Sequence, residues 1–419
     1  MASKAQLWEV HLLRVFAILA VIAIHTSGSP VARLDKNSSV FGLYVFLNTF
    51  SLYADPLFLL ISGLVLFYSY LDKPCTPETV WGFYKKRMTG ILAPYLVFSV
   101  FYYIVNNYRN PEQLTNVTRF AYQVLTGRAH THLYFMFIII QFYILFPLFW
   151  AAARKIGVHL VWVCAILQVG YMFLNREVIV HIDWLPNIMH RTGSLSITYF
   201  AFFALGGAMA MFYPQLKSWL GADGDADGNE LTKQGADGSA KQERSKRTSQ
   251  PSSPGVLRRL SVGALYLLWL GNAALYVYLD YQGKAKGIYA DSLDLYWIWC
   301  AHIILSAFCL FGIAAFLLKK LPNRVLRILI NLGGCSFGIY LIHPFLLWLY
   351  RMLPFGMSPI AFHSFVLGSM LVSLFVSWAI TAYCLRFKWA RYVFGAAPQR
   401  YPQLAKPSTP VDVKSGMTM

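Results

Sequence analysis

Charge is scarce in this chain. Asp, Glu, Lys and Arg make up only 13% of its 419 residues, and the acidic residues number 18 against 36 basic ones. So little charge on so long a chain cannot clothe the surface of a water-soluble fold, and 57% of the residues are hydrophobic, with a mean hydropathy of +0.49. Cysteine is sparse as well. The six (Cys75, Cys164, Cys300, Cys309, Cys335 and Cys384) are scattered, with no CxxC pair and no zinc-ligand spacing. That excludes a disulfide scaffold and a zinc module and leaves them as small packing residues. No repeat of fixed period is evident. No small-residue cleavage pattern follows the first apolar stretch, which therefore reads as a retained helix rather than a signal peptide.

What the chain has in abundance is apolar runs of membrane-crossing length. Windows of about 20 residues fall near 12–28, 41–70, 89–106, 132–152, 157–174, 195–213, 259–279, 293–318, 327–349 and 363–385. The expected fold class is all-α, a polytopic membrane helix bundle of about ten transmembrane helices. Assigning alternate loops to alternate sides puts most of the 36 Lys and Arg on the side of the N-terminus. By the positive-inside rule, both termini are then expected in the cytoplasm. This asymmetry accounts for the net charge of +18, so nucleic-acid binding is not needed to explain it. A multi-pass protein of a cell membrane, bacterial plasma membrane by preference, is the expectation.

One segment interrupts the pattern. Residues 221–254 are rich in Gly, Asp, Ser, Lys and Gln and cannot build a core. They divide the chain into a first membrane part (1–220), a disordered cytoplasmic linker (221–254), a second membrane part (255–395) and a cytoplasmic tail (396–419). Asp223, Asp225, Asp227 and Gly228 imitate the start of a calcium loop, but Gln234 stands where a bidentate Glu is required. The Gly206-Gly207 and Gly333-Gly334 pairs are expected at close helix contacts, because neither follows a strand as a phosphate loop would.

Within this apolar background a few polar residues need a reason. Arg14 and His25 lie in the first window, and eleven steps of about 100° bring them back to one helix face, about 16 Å apart along the axis. A guanidinium or imidazole inside a span is costly enough that a lined pathway or a reaction site is its default reading. On the assigned topology, His25, Asp55, His132 and His343 fall at similar depth toward the outside. They are the candidate catalytic group, with Tyr340 on the helical face of His343. Asp55 is the candidate partner that orients His25, and Tyr340, His343 or His132 the candidate donors to an oxyanion. Each has a structural alternative: an interhelical hydrogen bond for His25, a helix cap for Asp55 before Pro56, an interfacial anchor for His132, packing for His343. His302, His159 and His363 have no evident partner and read as structural. Toward the cytoplasm Lys85, Lys86 and Arg87 precede the third span. They suffice as a topology signal, and with Arg14 they would also form a basic mouth suited to phosphate. No metal site is expected.

These residues resemble the integral-membrane acyltransferase-3 family. The resemblance rests on Arg14 through His25, on the run from Asp55-Pro56 to Ser62-Gly63, on Lys86-Arg87 through Pro94-Tyr95, on His132-Leu133-Tyr134-Phe135 with Tyr143 and Pro147, and on Ser336-Phe337-Gly338-Ile339-Tyr340-Leu341-Ile342-His343. It implies transfer of an acyl group, acetyl or succinyl, from cytoplasmic acyl-CoA to an extracytoplasmic carbohydrate hydroxyl. Arg14 and His25 are then the essential pair, and Arg14, Arg87, Lys86 and Lys85 bind the donor. Acyl-CoA is a substrate here, and no resident cofactor is implied. The chain is similar to the stand-alone members that modify secreted polysaccharides, which brings membrane lipid and polysaccharide synthase machinery in as expected surroundings. Two positions depart from the family pattern. The Arg-x-x-Arg pair reads Arg87-Met88-Thr89-Gly90, and Asp55 stands where an uncharged residue is common. The alternative function is an exporter or flippase for polysaccharide or lipid-linked sugar, using the same polar layer to bind cargo.

Overall fold

The computed structural model describes residues 6–182, 192–220, 255–354, 358–395 and 401. Among them the secondary structure is helical throughout, with no strand. The helices are α1 (Trp8–Arg33), α2 (Phe41–Phe50), α3 (Ala54–Tyr70), α4 (Pro77–Arg87), α5 (Ala93–Asn107), α6 (Pro111–Leu114), α7 (Val117–Leu125) and α8 (Leu133–Ile156). They continue with α9 (Leu160–Glu177), α10 (Phe200–Met211), α11 (Tyr213–Trp219), α12 (Gly255–Lys286), α13 (Ser292–Lys320), α14 (Asn323–Tyr350), α15 (Pro359–Cys384) and α16 (Arg391–Phe394). The linker 221–254, its calcium-like stretch, and the tail 396–419 apart from Tyr401 lie outside the described residues.

Eight helical stretches are long and apolar enough to cross a membrane, and a ninth is the pair Ser196–Met211 and Tyr213–Trp219, bent by 84°. The sequence led to an expectation of ten. The difference arises at Leu133–His181, one 49-residue stretch where two spans were expected. As continuous helix it would measure about 74 Å, more than twice the hydrocarbon core. It is not continuous, because Gly157 takes a φ of 57° at the end of α8 and a short turn of 3-10 helix leads into α9.

The second expected span is also interrupted. A single 3-10 turn, Ser51–Tyr53, separates α2 from α3, and Pro56 sits in the first turn of α3. There its missing N–H would have had no helical partner in any case.

α1 is the axis of the bundle. Leu12, Leu13, Ala17, Ile18 and Ile22 are almost fully buried, and α2, α3, α13, α14 and α15 pack around it. A helix apolar on every side is at home in such a position. In lipid the aqueous hydrophobic effect does not drive helices together, so close packing and cross-helix polar contacts carry the assembly. The glycines supply the packing. A Cβ on Gly63 would strike the Phe203 carbonyl and one on Gly206 the Leu60 carbonyl, so α3 and α10 meet backbone to backbone. Gly333 lets α14 approach the His11 carbonyl of α1 in the same way. Polar ties include Trp269 donating to the Ser306 hydroxyl at 2.8 Å and Tyr102 donating to the Leu341 carbonyl at 2.8 Å.

Two pairs of contacts define directions. Gly333 meets His11, while the His343 and His25 rings lie 5.1 Å apart, so α1 and α14 run parallel. Gly63 meets Phe203, while the Tyr68 and Tyr213 rings lie 5.9 Å apart, so the α3 and α10–α11 segments share a direction too.

Candidate active site

Near the N-terminal end of α1, Arg14 lines a cavity of ≈ 280 Å³ together with Lys86 and Arg87. The hydroxyl-bearing residues Ser62, Tyr143, Ser336 and Tyr340 complete its polar lining. Arg87 ends α4, and the chain then widens into a π-helical turn, Met88–Leu92, before α5. Such turns shift the register of the side chains that follow. The Arg87 guanidinium lies 5.5 Å over the Tyr143 ring, and its Nε is buried without a hydrogen-bond partner. Among the described residues no carboxylate pairs with Arg14, Lys86 or Arg87; the ion pairs run instead from Lys217 to Glu9, from Lys284 to Asp280 and from Arg176 to Glu177 and Asp291. Three cations around one cavity, one with an unused buried donor, make a site fit for an anion. Lys85 does not belong to it: its side chain is exposed and does not line the cavity.

Farther along α1, four imidazoles gather. His25 lies 5.1 Å from His343 between ring centroids, His343 6.0 Å from His132, and His132 4.9 Å from His130. The site residues His25, His132 and His343 therefore do converge. His343 is fully buried, and its Nδ1 lies 3.1 Å from the Ile339 carbonyl. A carbonyl only accepts, so Nδ1 carries the proton and, in the neutral ring, Nε2 is left with a lone pair. That Nε2 is buried and unpartnered, as is the Nε2 of His132. His25 makes no side-chain hydrogen bond among the described residues, while its backbone carbonyl accepts from Arg351 Nη2 at 2.8 Å.

Tyr340 joins the two regions. It lines the cavity of Arg14, and its ring stands 5.5 Å from His132 and 5.9 Å from His343. Its hydroxyl donates to the His132 carbonyl at 2.5 Å. The proton is thus committed to holding the start of α8, which removes Tyr340 as a ready donor to an oxyanion.

Asp55 corrects the sequence reading. The expected contact with His25 is not made; the carboxylate instead accepts a short hydrogen bond from the Tyr134 hydroxyl. It does not cap α3, whose cap residue is Tyr53, but sits in the first turn, where the helix dipole favours a negative charge. Tyr199 and Tyr340 also lie within its electrostatic reach. The hydrogen bond to Tyr134 turns Asp55 toward α8 rather than α1.

His130 was missed. It lies outside the spans, in the loop before α8, where its Nδ1 is 2.8 Å from His132 Nδ1 and its ring 4.3 Å from Tyr102. Burial, with the neighbouring His25 adding to it, holds its pKa down to about 4. The His-Thr-His spacing of residues 130–132 was the available signal. The remaining histidines have other positions. His302 Nε2 is tied to the Phe50 carbonyl at 2.8 Å, His363 Nδ1 to the Tyr44 hydroxyl at 2.8 Å, and His159 is exposed.

A multi-pass helical membrane protein with a cation-lined cavity that shares Tyr340 with a cluster of imidazoles is the class that fold and site define. The acyltransferase domain of the acyltransferase-3 family matches residues 7–382. The chain belongs to that family of membrane acyltransferases. No curated protein and no solved structure matches it.

Proposed function

We propose that this protein transfers an acyl group, acetyl or succinyl, from cytoplasmic acyl-CoA to a hydroxyl of an extracytoplasmic glycan. The observation that carries the proposal is the shared wall at Tyr340. One cavity begins among Arg14, Lys86 and Arg87 and ends at a tyrosine that contacts His132. Phosphates of coenzyme A suit the cations, with Arg able to bind bidentately, and the unpartnered Arg87 Nε supplies a donor. The slim pantetheine arm suits the cavity, and the rise of about 16 Å from Arg14 to His25 on one helix suits its length.

At the far end, His25 takes the proton of the acceptor hydroxyl as the oxygen attacks the thioester carbonyl. The carbon–sulfur bond breaks, and the proton passes to the departing thiolate to give free coenzyme A. In a second route the His25 nitrogen itself attacks first and carries the acyl group to the acceptor. Acid-quenched samples separate the two by whether acylated His25 accumulates. With His130 donating from Nδ1, His132 holds its proton on the buried Nε2, a donor free for the oxyanion that either route develops. Asp55 acts at one remove, through Tyr134 and the start of α8.

The membrane topology that fits is ten spans with both termini cytoplasmic. Counting α8 and α9 separately and the bent pair as one span gives this number. It also makes α1 and α14 the first and ninth spans and α3 and α10 the second and sixth, consistent with their parallel directions. Nine spans would make both pairs antiparallel. The linker 221–254 then lies in the cytoplasm between two membrane parts, 1–220 and 255–395. Purified protein given acetyl-CoA or succinyl-CoA with cell-envelope glycan should release free thiol and label the glycan. Protein that does neither, yet moves glycan across vesicles, would be the exporter instead.

A further inference from the structure

A second cavity, of ≈ 120 Å³, opens at the opposite end of α1 from the Arg14 mouth. Arg33 and Arg351 line it together with Thr26, Ser29 and Ser369. Arg33 is the last residue of α1, and Arg351 follows directly on α14. Nineteen residues of helix separate Arg14 from Arg33, about 28 Å, close to the thickness of the hydrocarbon core. The two basic sites thus face opposite membrane surfaces.

Neither arginine has a carboxylate partner among the described residues. Arg33 and Arg351 both stand exposed at the cavity mouth, where two guanidiniums repel one another, and partial burial together with the Arg33 charge pushes the Arg351 pKa down. Such a pair is stable in the company of an anion. The hydroxyls sharpen the picture. Thr26 already donates to the Ile22 carbonyl at 2.8 Å and Ser369 to the Val366 carbonyl at 2.7 Å, whereas Ser29 makes no hydrogen bond among the described residues. One free hydroxyl and two guanidiniums form a donor-rich set with no carboxylate among the cavity's lining residues.

The position relative to the imidazoles indicates which anion. Arg351 is held against the His25 carbonyl, and Ser29 stands four residues beyond His25, about 6 Å along the axis. That is roughly the span of one sugar ring.

We infer that the Arg33–Arg351 cavity is an acceptor subsite for an oxyanion, a carboxylate or phosphate borne by the same glycan whose hydroxyl reaches His25. The inference rests on the transferase reading and narrows it: the acceptor is an acidic glycan. A phospholipid headgroup offers the same oxyanion chemistry but has no reason to sit within one sugar's reach of His25.

The test uses the full chain in nanodiscs of purely zwitterionic lipid. The probes are a glucuronate-bearing tetrasaccharide, its carboxyl-reduced twin and glycerol 3-phosphate, with coenzyme A binding measured in parallel. Wild-type protein should bind the glucuronate form at least tenfold more tightly than the reduced twin. Arg33→Gln and Arg351→Gln should each abolish that preference, Arg33→Lys should retain most of it, and coenzyme A binding should be unchanged in all. Arg33→Gln guards against misfolding at Arg351, since Arg33 has no hydrogen bond to His25.

Equal binding of the native and reduced glycans with no binding of glycerol 3-phosphate overturns the inference. So does loss of glycan binding when anionic phospholipid is added at constant ionic strength, which makes a lipid headgroup the occupant. Transfer to glycan without any charge preference refutes the acidic acceptor and leaves the transferase standing. Charge-selective binding with no transfer from any acyl-CoA supports the oxyanion site and refutes the transferase.

Discussion

Asp55 and Tyr134 offer a measurable coupling between two helices that the sequence alone did not pair. Tyr134→Phe deletes the hydroxyl that donates to the Asp55 carboxylate, leaving a partly buried charge with no other side-chain hydrogen bond among the described residues. Hydrogen bonds to charged groups contribute about 1.5–3 kcal/mol, so the variant should lose about 2 kcal/mol of stability. Asp55→Asn keeps an acceptor oxygen but trades a charge-assisted bond for a neutral one, at a cost of about 1 kcal/mol. Once Asp55 is neutral, removing the Tyr134 hydroxyl strands no charge, so the double variant should be more stable than the sum of the singles by 1 kcal/mol or more. Denaturant titration of the purified protein in mixed micelles, followed by tryptophan fluorescence, gives all four corners of the cycle. Single-variant losses that add to within about 0.5 kcal/mol would refute the pairing.

Further outcomes follow from other parts of the molecule. Gly206→Ala drives a Cβ into the Leu60 carbonyl and should cost about 1–3 kcal/mol through overpacking; Gly28→Ala, with open space around it, should be neutral or slightly stabilising in the same unfolding assay. Arg87→Gln, which removes the charge beside Tyr143 and the unpartnered Nε, should weaken coenzyme A binding about tenfold, equivalent to about 1.4 kcal/mol, and flatten its salt dependence. His130 is neutral in the fold, with its pKa held down to about 4 against an ordinary 6.5. The unfolded chain therefore binds the extra proton first. Stability should be undiminished above pH 6.5 and fall as pH drops toward about 4, by on the order of 3 kcal/mol; unfolding midpoints from pH 7.5 to 4.5 should decline less steeply in His130→Asn.

What was legible in the sequence was whatever one helix decides by itself. Apolar length placed the membrane helices, the eleven-residue spacing put Arg14 and His25 on a continuous α1, and Gly206 and Gly333 marked close crossings. What two helices decide together was harder. Asp55 was paired with His25 on expected depth alone, but depth leaves azimuth open, and Asp55 at the start of α3 meets Tyr134 instead. His130 was hidden in a loop, where no helical period assigns a face. Hydropathy alone did not show where helices are joined by tight turns, at Gly157 and at the 84° bend after Met211, because it registers length and not direction. Lys85 and Lys86 are neighbours in sequence, yet successive residues on a helix point about 100° apart, and only Lys86 reaches the cavity.

The central claim is that His25 performs the chemistry at the end of a path that begins at Arg14. His25→Ala protein, reconstituted and shown to bind coenzyme A as tightly as wild type, should be given radiolabelled acetyl-CoA or succinyl-CoA and cell-envelope glycan. The account predicts loss of glycan labelling by a factor of about 100 or more, the usual scale for removing a general base, with donor binding intact. Labelling at the wild-type rate would contradict it.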